Sequence, residues 1–462
     1  MADDAGPGDA RDGRLPPEAV KLRFAVAIAG VAIVAAGFAI VFREGLSLAT
    51  HALGGTNVVN MIEGLPAWAR VALPVGGGLC AGLVMLVAAR VRPGTGVGFV
   101  MEAIVLGRVR LPLARSALQA LASWFAIAAG NSLGREGPLI QAGAASGEAA
   151  RRVLRLDDGT ARIVLAAGVA AGFAAAYNAP VAAVLFVVEI VTGVLVLEAV
   201  VPMLVAVVIA TVVTRWVIGG GPLYGERVFA WSSRSAPLEL VAFAGLGLVA
   251  APIGVGFLHL LARVERAWHR VPMPWRPAIG AALAGGIVCA LPLVAGNGFE
   301  PLTAILDGKL AIGLVAWLLF AKPIATAITV GSGSPGGVFT PTLLVGACVG
   351  TVYATGLHAV LGDSFATPGA YALVGLAATL AATLHAPLTA SILACELSGD
   401  YGLLLPLLVA TALAAGVARS LYEDSVYTAE LSKRGVRWRL TLDGRRVDES
   451  DQAQPLLDAA PR

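Results

Sequence analysis

The sequence predicts an all-α polytopic membrane protein, an inverted repeat of tilted and broken helices. Three observations predict it. Of 462 residues, 57% are hydrophobic and 14% charged, and mean hydropathy is +0.80; soluble domains carry about a quarter charged residues. Apolar runs, many of span length, recur along the chain. Glycine and proline interrupt them at matching places in two halves, the sequence mark of an inverted-repeat transporter.

Taken in order, residues 1–20 are polar and read as a disordered cytoplasmic N-terminus. Lys21 and Arg23 precede the first span, about 24–42, and basic residues there favour the cytoplasmic side. That run is a full span, not the short core of a cleavable signal peptide. Further apolar runs follow at about 70–89, 112–130, 163–176, 181–218, 237–262, 277–296, 311–330, 339–361 and 370–418. Their uneven lengths call for tilted and half-membrane helices. Broken ends in lipid are tolerated where protein or a water-filled site covers the backbone. The expected division is a transmembrane domain over 21–432, with repeat halves at about 70–218 and 275–418, and a short cytoplasmic tail over 433–462. That tail is too short for an appended regulatory domain. Basic clusters at Arg90/Arg92, Arg108/Arg110, Arg151/Arg152/Arg155 and after Ser432 read as topology signals on the cytoplasmic side.

Composition also excludes. A net charge of +3 is too small to suggest nucleic acid as a partner. Cys80, Cys289, Cys348 and Cys395 are far apart in apolar segments, without metal-ligand spacing, and read as small buried hydrophobes. No cofactor is expected.

The organising stretch is Gly130-Asn131-Ser132-Leu133-Gly134-Arg135-Glu136-Gly137-Pro138. It brings two ionisable side chains to membrane depth, where charge is costly and usually functional. Its glycines permit close approach to the backbone. Pro138 suits the first turn of a helix. The N–H groups and positive dipole end of that helix make an anion site from backbone, with the Glu136 carboxylate where an anion would go.

The repeat can be read residue by residue. Tyr177-Asn178-Ala179-Pro180 opens an apolar run ending at Glu189; Leu384-His385-Ala386-Pro387 opens one ending at Glu396. Upstream of the second lies Gly331-Ser332-Gly333-Ser334-Pro335-Gly336-Gly337-Val338-Phe339-Thr340-Pro341, the counterpart of the organising stretch. Glu189 has two readings, a proton or water route and a structural cap; for Glu396 the cap is preferred. His385 reads as a hydrogen-bonded residue at a helix start, and Arg135 as support for its loop.

These motifs together resemble the CLC family of chloride channels and chloride/proton antiporters, from about residue 25 to 432. The resemblance implies chloride or another small anion as the partner and a homodimer; the Ala-, Gly- and Arg-rich residue usage and the short tail point to a bacterial inner membrane. The resemblance also implies that anions are held by helix N-termini and a tyrosine. Thr95, in Gly94-Thr95-Gly96-Val97-Gly98, would supply a hydroxyl; threonine replaces a family serine there, and Gly98 replaces a family proline. Gly134, Arg135 and Gly137 flank the gating Glu136. Val338 and Phe339 contribute amides, and Tyr427 a phenol. Moderate, fixed donors suit an ion that must also leave. Family antiporters usually carry an inner acid directly after the position of Glu189; here it is Ile190, which carries no proton. The reading taken is passive conduction or loosely proton-coupled transport gated by Glu136, with strict chloride/proton antiport as the alternative.

A membrane enzyme is the rival class. Gly130-Asn131-Ser132-Leu133-Gly134 fits the Gly-x-Ser-x-Gly elbow of serine hydrolases, but that motif needs a preceding strand and a base. The run before Ser132 reads as helix, and no histidine is placed to serve it. The chain is therefore read as a transporter and not an enzyme.

Overall fold

The computed structural model describes residues 17–91, 96–107, 110–229, 236–273, 275–362, 365–433, 435–436, 438–441 and 444–447. The first half of the repeat comprises α1 (Pro17–Ala52), α2 (Val58–Gly64), α3 (Ala67–Ala89), α4 (Val97–Val105), α5 (Leu113–Ala128), α6 (Glu136–Leu154), α7 (Asp158–Tyr177), α8 (Pro180–Phe186) and α9 (Leu197–Ile218). The second comprises α10 (Ala236–Ala267), α11 (Arg276–Ala290), α12 (Phe299–Leu306), α13 (Ile312–Gly331), α14 (Phe339–Leu361), α15 (Pro368–Leu384), α16 (Pro387–Ser398) and α17 (Leu404–Leu421). A short helix, α18 (Thr428–Ser432), follows. The tail then forms an antiparallel hairpin of β1 (Trp438–Thr441) and β2 (Gly444–Val447), with Trp438 opposite Val447.

Eight described helices are long and apolar enough to cross a membrane. Large apolar side chains cover their outward faces, among them Val208, Trp216, Trp317 and Phe320. The chain is a multi-pass integral membrane protein. Two long apolar runs are broken rather than continuous. The 181–218 run divides into α8, a π-helical segment (Val187–Thr192) and α9; the 370–418 run divides into α15, α16 and α17.

The halves repeat one packing scheme. α6 lies on α7 as α14 lies on α15, and α1 lies on α7 and α9 as α10 lies on α15 and α17. Glycine makes both close pairings possible. A Cβ at Gly143 would stand 2.1 Å from the Gly168 carbonyl oxygen, and one at the equivalent Gly346 would stand 2.5 Å from that of Gly375. Small residues let helix backbones approach in lipid, where hydrophobicity gives no drive for association.

The halves also cap each other. Glu189 accepts from the N–H groups of Leu388 (3.1 Å) and Thr389 (2.7 Å) and from the Thr389 hydroxyl (2.6 Å). Glu396 accepts from the N–H groups of Val181 (3.0 Å) and Ala182 (2.8 Å). Each acid thus sits on the free N–H groups and positive dipole end of the other half's proline-initiated helix. Just before those helices, Asn178 and His385 take left-handed conformations, with φ of 54° and 58°. Both close the preceding helix at its C-cap, and an arginine reaches each: Arg215 donates to the Asn178 side chain at 2.7 Å, and Arg419 to the His385 carbonyl at 2.5 Å. His385 therefore ends one helix rather than starting the next.

Candidate functional site

The two glycine-rich breaks are joined to each other. Gly134 and Gly337 form an antiparallel bridge, with N–H to O distances of 2.7 and 2.8 Å. Asn131 steadies the approach by donating to the carbonyls of Pro74 (3.0 Å) and Ala126 (3.1 Å). The Ser132 hydroxyl is buried and shares a hydrogen bond with the Thr326 hydroxyl at 2.9 Å. The segment before it is α5, so this serine is not presented as on a nucleophile elbow.

Glu136 opens α6 and is 1% exposed. Its side chain crosses to the start of α14. Oε1 accepts from the Phe339 N–H at 2.6 Å, and Oε2 accepts from the Thr340 hydroxyl at 3.2 Å. The Tyr177 hydroxyl lies 3.5 Å from Oε2 and shares a 3.0 Å hydrogen bond with Thr340. The carboxylate fits because both bridge residues lack a side chain. A Cβ on Gly134 would stand 2.2 Å from Oε1, and one on Gly337 only 2.0 Å from it.

On one side of this carboxylate lies a cavity of about 650 Å³. Its inner end is formed by Gly137 and Pro138 of α6, Gly337 and Val338 before α14, and Tyr427. Gly96 and Val97 at the start of α4 also line it, and Glu265 and Lys433, which form an ion pair, stand at the face that carries the tail. Three helix starts from distant parts of the chain therefore share one space. Their amides and the Tyr427 hydroxyl are donors of fixed geometry. Such a set ligates a desolvated anion without a full counter-charge. The Glu136 carboxylate fills that role for the donors of α14.

Of the residues expected here, Glu136, Gly134, Phe339, Gly137, Val338 and Tyr427 come together at the carboxylate or the inner end of the cavity. Thr95 lies outside the described residues. Arg135 is the half-buried N-cap of α6, within electrostatic reach of Glu300. Ile190 is buried in the π-helical segment. Of the two readings of Glu189, the structure shows the contact of the cap: its carboxylate is engaged by the start of α16. A helix end with unpaired N–H groups holds the charge more firmly than a water chain would.

Thr340 and Tyr177 were not singled out from the sequence as ligands of Glu136. Thr340 directly follows Phe339 in the second break, so the first turn of α14 was the available signal. Tyr177 sits beside the Asn178-Ala179-Pro180 motif. Lys322 was also missed; it is fully buried on α13 and donates to the carbonyls of Val294 (2.9 Å) and Gly296 (2.8 Å).

The profile of the voltage gated chloride channel family matches residues 76–419. A ClcB-like chloride channel protein of Ralstonia nicotianae is 37% identical over 417 residues, 88% of this chain and 96% of that one. The ClC-type chloride channel ClcB of Escherichia coli O81 is 31% identical, over 82% of this chain and 90% of its own. Among solved structures, a slow cyanobacterial Cl−/H+ antiporter superposes with a TM-score of 0.76 at 25% identity, covering 91% of this chain and 98% of its own. A CLC-type fluoride/proton antiporter gives 0.71 at 21% identity, covering 89% and 97%, a likeness of fold. The paired breaks, the shared donor space and these similarities agree: the chain belongs to the voltage-gated chloride channel (CLC) family.

Proposed function

We propose that this protein carries chloride across a bacterial inner membrane, as a passive or loosely proton-coupled transporter gated by Glu136. The observation that carries the reading is the donor set on the Glu136 carboxylate, made of the Phe339 amide and the Thr340 hydroxyl. An ionised carboxylate and a chloride compete for these donors. Protonation removes the negative charge, weakens the carboxyl's hold on the Phe339 N–H, and lets the side chain swing away. Chloride then passes from the cavity across the Gly134–Gly337 bridge region. Val338 and Tyr427, at the inner end of the cavity, hold the ion before that step.

Loose coupling is supported by Ile190, a buried hydrocarbon where the resembled antiporters place an acid. Strict antiport is favoured by one observation, the likeness to a Cl−/H+ antiporter at 25% identity. Chloride and proton movement recorded together in proteoliposomes separates the two. The proposal expects chloride efflux with little or no uphill proton movement. Protons driven uphill at a fixed ratio to chloride would establish antiport. A homodimer with one pathway per subunit is part of the same proposal and is checked by the mass of the purified particle.

A further inference from the structure

Glu430 lies in α18, three residues beyond Tyr427, on the wall of the same cavity. Its carboxylate is laid against the start of α4. Oε2 is 3.4 Å from the Gly98 nitrogen, a long hydrogen bond. A Cβ on Gly96 would stand 2.5 Å from Oε1, and one on Gly98 would stand 3.2 Å from the carboxyl carbon. This repeats, nearer the tail face, the arrangement of Glu136: an acid from one element rests on the N-terminus of another, in space that glycine leaves open. A proline at position 98 has no N–H to give; glycine supplies one.

We propose that Glu430 is a second anion-competing acid, a gate at the tail face whose ionised carboxylate holds the start of α4 against entering chloride. The inference rests on the cavity being the chloride route. A proton from water at the cavity mouth adds to a carboxylate oxygen, the contact with the Gly98 N–H loosens, and the amide becomes available to chloride. The proton returns to the same water when chloride has left. Among the described residues, the ionisable groups that face this space with Glu430 are Glu265 on α10, Arg276 opening α11, Tyr422, Asp424 and Tyr427 before α18, and Lys433 after it. Lys433 is engaged with Glu265. Tyr427 stands within electrostatic reach of both Glu136 and Glu430, so the two acids act on one short stretch of pathway.

The test is chloride binding to the purified full-length protein by titration calorimetry at pH 4.5 and 7.5, in a Glu136→Ala background that removes the first acid. Chloride affinity in that background is expected to remain pH-dependent. Adding Glu430→Gln should tighten binding at pH 7.5 about five-fold, the worth of one ordinary neutral hydrogen bond, because the contact is long, and flatten the pH dependence. Gly98→Pro, which removes the donor that the acid and chloride both use, should instead weaken chloride binding at pH 4.5, and combining it with Glu430→Gln should add little more. Equal affinities and equal pH profiles with and without Glu430→Gln would overturn the gate. Absence of chloride binding and efflux in the unsubstituted protein would overturn the transport reading along with it.

Discussion

Single residues determine whether the carboxylate of Glu136 can reach its donors. Gly337 is the tightest case, because an added methyl carbon would lie 2.0 Å from Oε1. Gly337→Ala is therefore expected to push the carboxylate out of the Phe339 amide. Overpacking of this kind costs roughly 1–3 kcal/mol. The variant should unfold several degrees lower, and its chloride efflux at neutral pH should approach the rate seen in acid. Wild-type stability and an unchanged pH profile would show that the carboxylate has room to spare. Glu136 itself was legible from the sequence because an acid inside Gly-Arg-Glu-Gly-Pro stands out in an apolar chain. Its hydroxyl ligands were not. Thr340 is an ordinary residue until the folded chain brings it 204 positions back to Glu136. Thr95 was read as a ligand from motif alone and lies outside the described residues.

Helix ends carry the next level of the argument. Glu189 and Glu396 each neutralise the N-terminus of the opposite half's short, proline-initiated helix. Replacing an acid in such a position costs about 0.5–2 kcal/mol. Glu189→Gln is expected to lower thermal stability while leaving the chloride to proton ratio unchanged. A changed ratio at wild-type stability would return Glu189 to a proton route. At the membrane face, Asp157 caps α7 by accepting from the Thr160 N–H (2.9 Å) and hydroxyl (2.6 Å). These hydrogen bonds, the hydroxyl's first, hold its carboxyl below the usual aspartate range. The folded value is thus below the unfolded one, so the cap's contribution is complete above the unfolded value and is lost as pH falls through the folded one. Asp157→Asn should lower the melting temperature at pH 7, and the gap to the wild type should narrow as the pH falls below the ordinary aspartate range. The sequence showed the span lengths well where a helix is continuous, as over α13 and α14. It did not show the break after Thr192, because Val194-Leu195-Val196 keeps the run apolar through the turn, and the run read over 370–418 passed across the Gly399-Asp400-Tyr401-Gly402 turn that ends α16.

At the scale of the whole molecule, two weakly similar halves produce one site that neither contains. The Gly134–Gly337 bridge ties the breaks together, and each half supplies part of what surrounds the carboxylate: Glu136 and Tyr177 from the first, Phe339 and Thr340 from the second. The glycine-lined pairings of α6 with α7 and α14 with α15 hold these elements in register. The repeat was visible in the sequence through its Ala-Pro helix starts and terminal glutamates. What it could not show is which side chains face each other across the interface, since that depends on how the halves are turned.

The central claim is that the Glu136 carboxylate occupies an anion's place. An experimental structure of Glu136→Ala grown in bromide tests it most directly. The account predicts an anomalous bromide peak at the vacated carboxylate position, about 3.3 Å from the Phe339 nitrogen and the Thr340 hydroxyl, a little longer than the usual hydrogen bond to oxygen because a halide is larger. A site closed by movement of α14, or filled by water with bromide bound elsewhere, would contradict it.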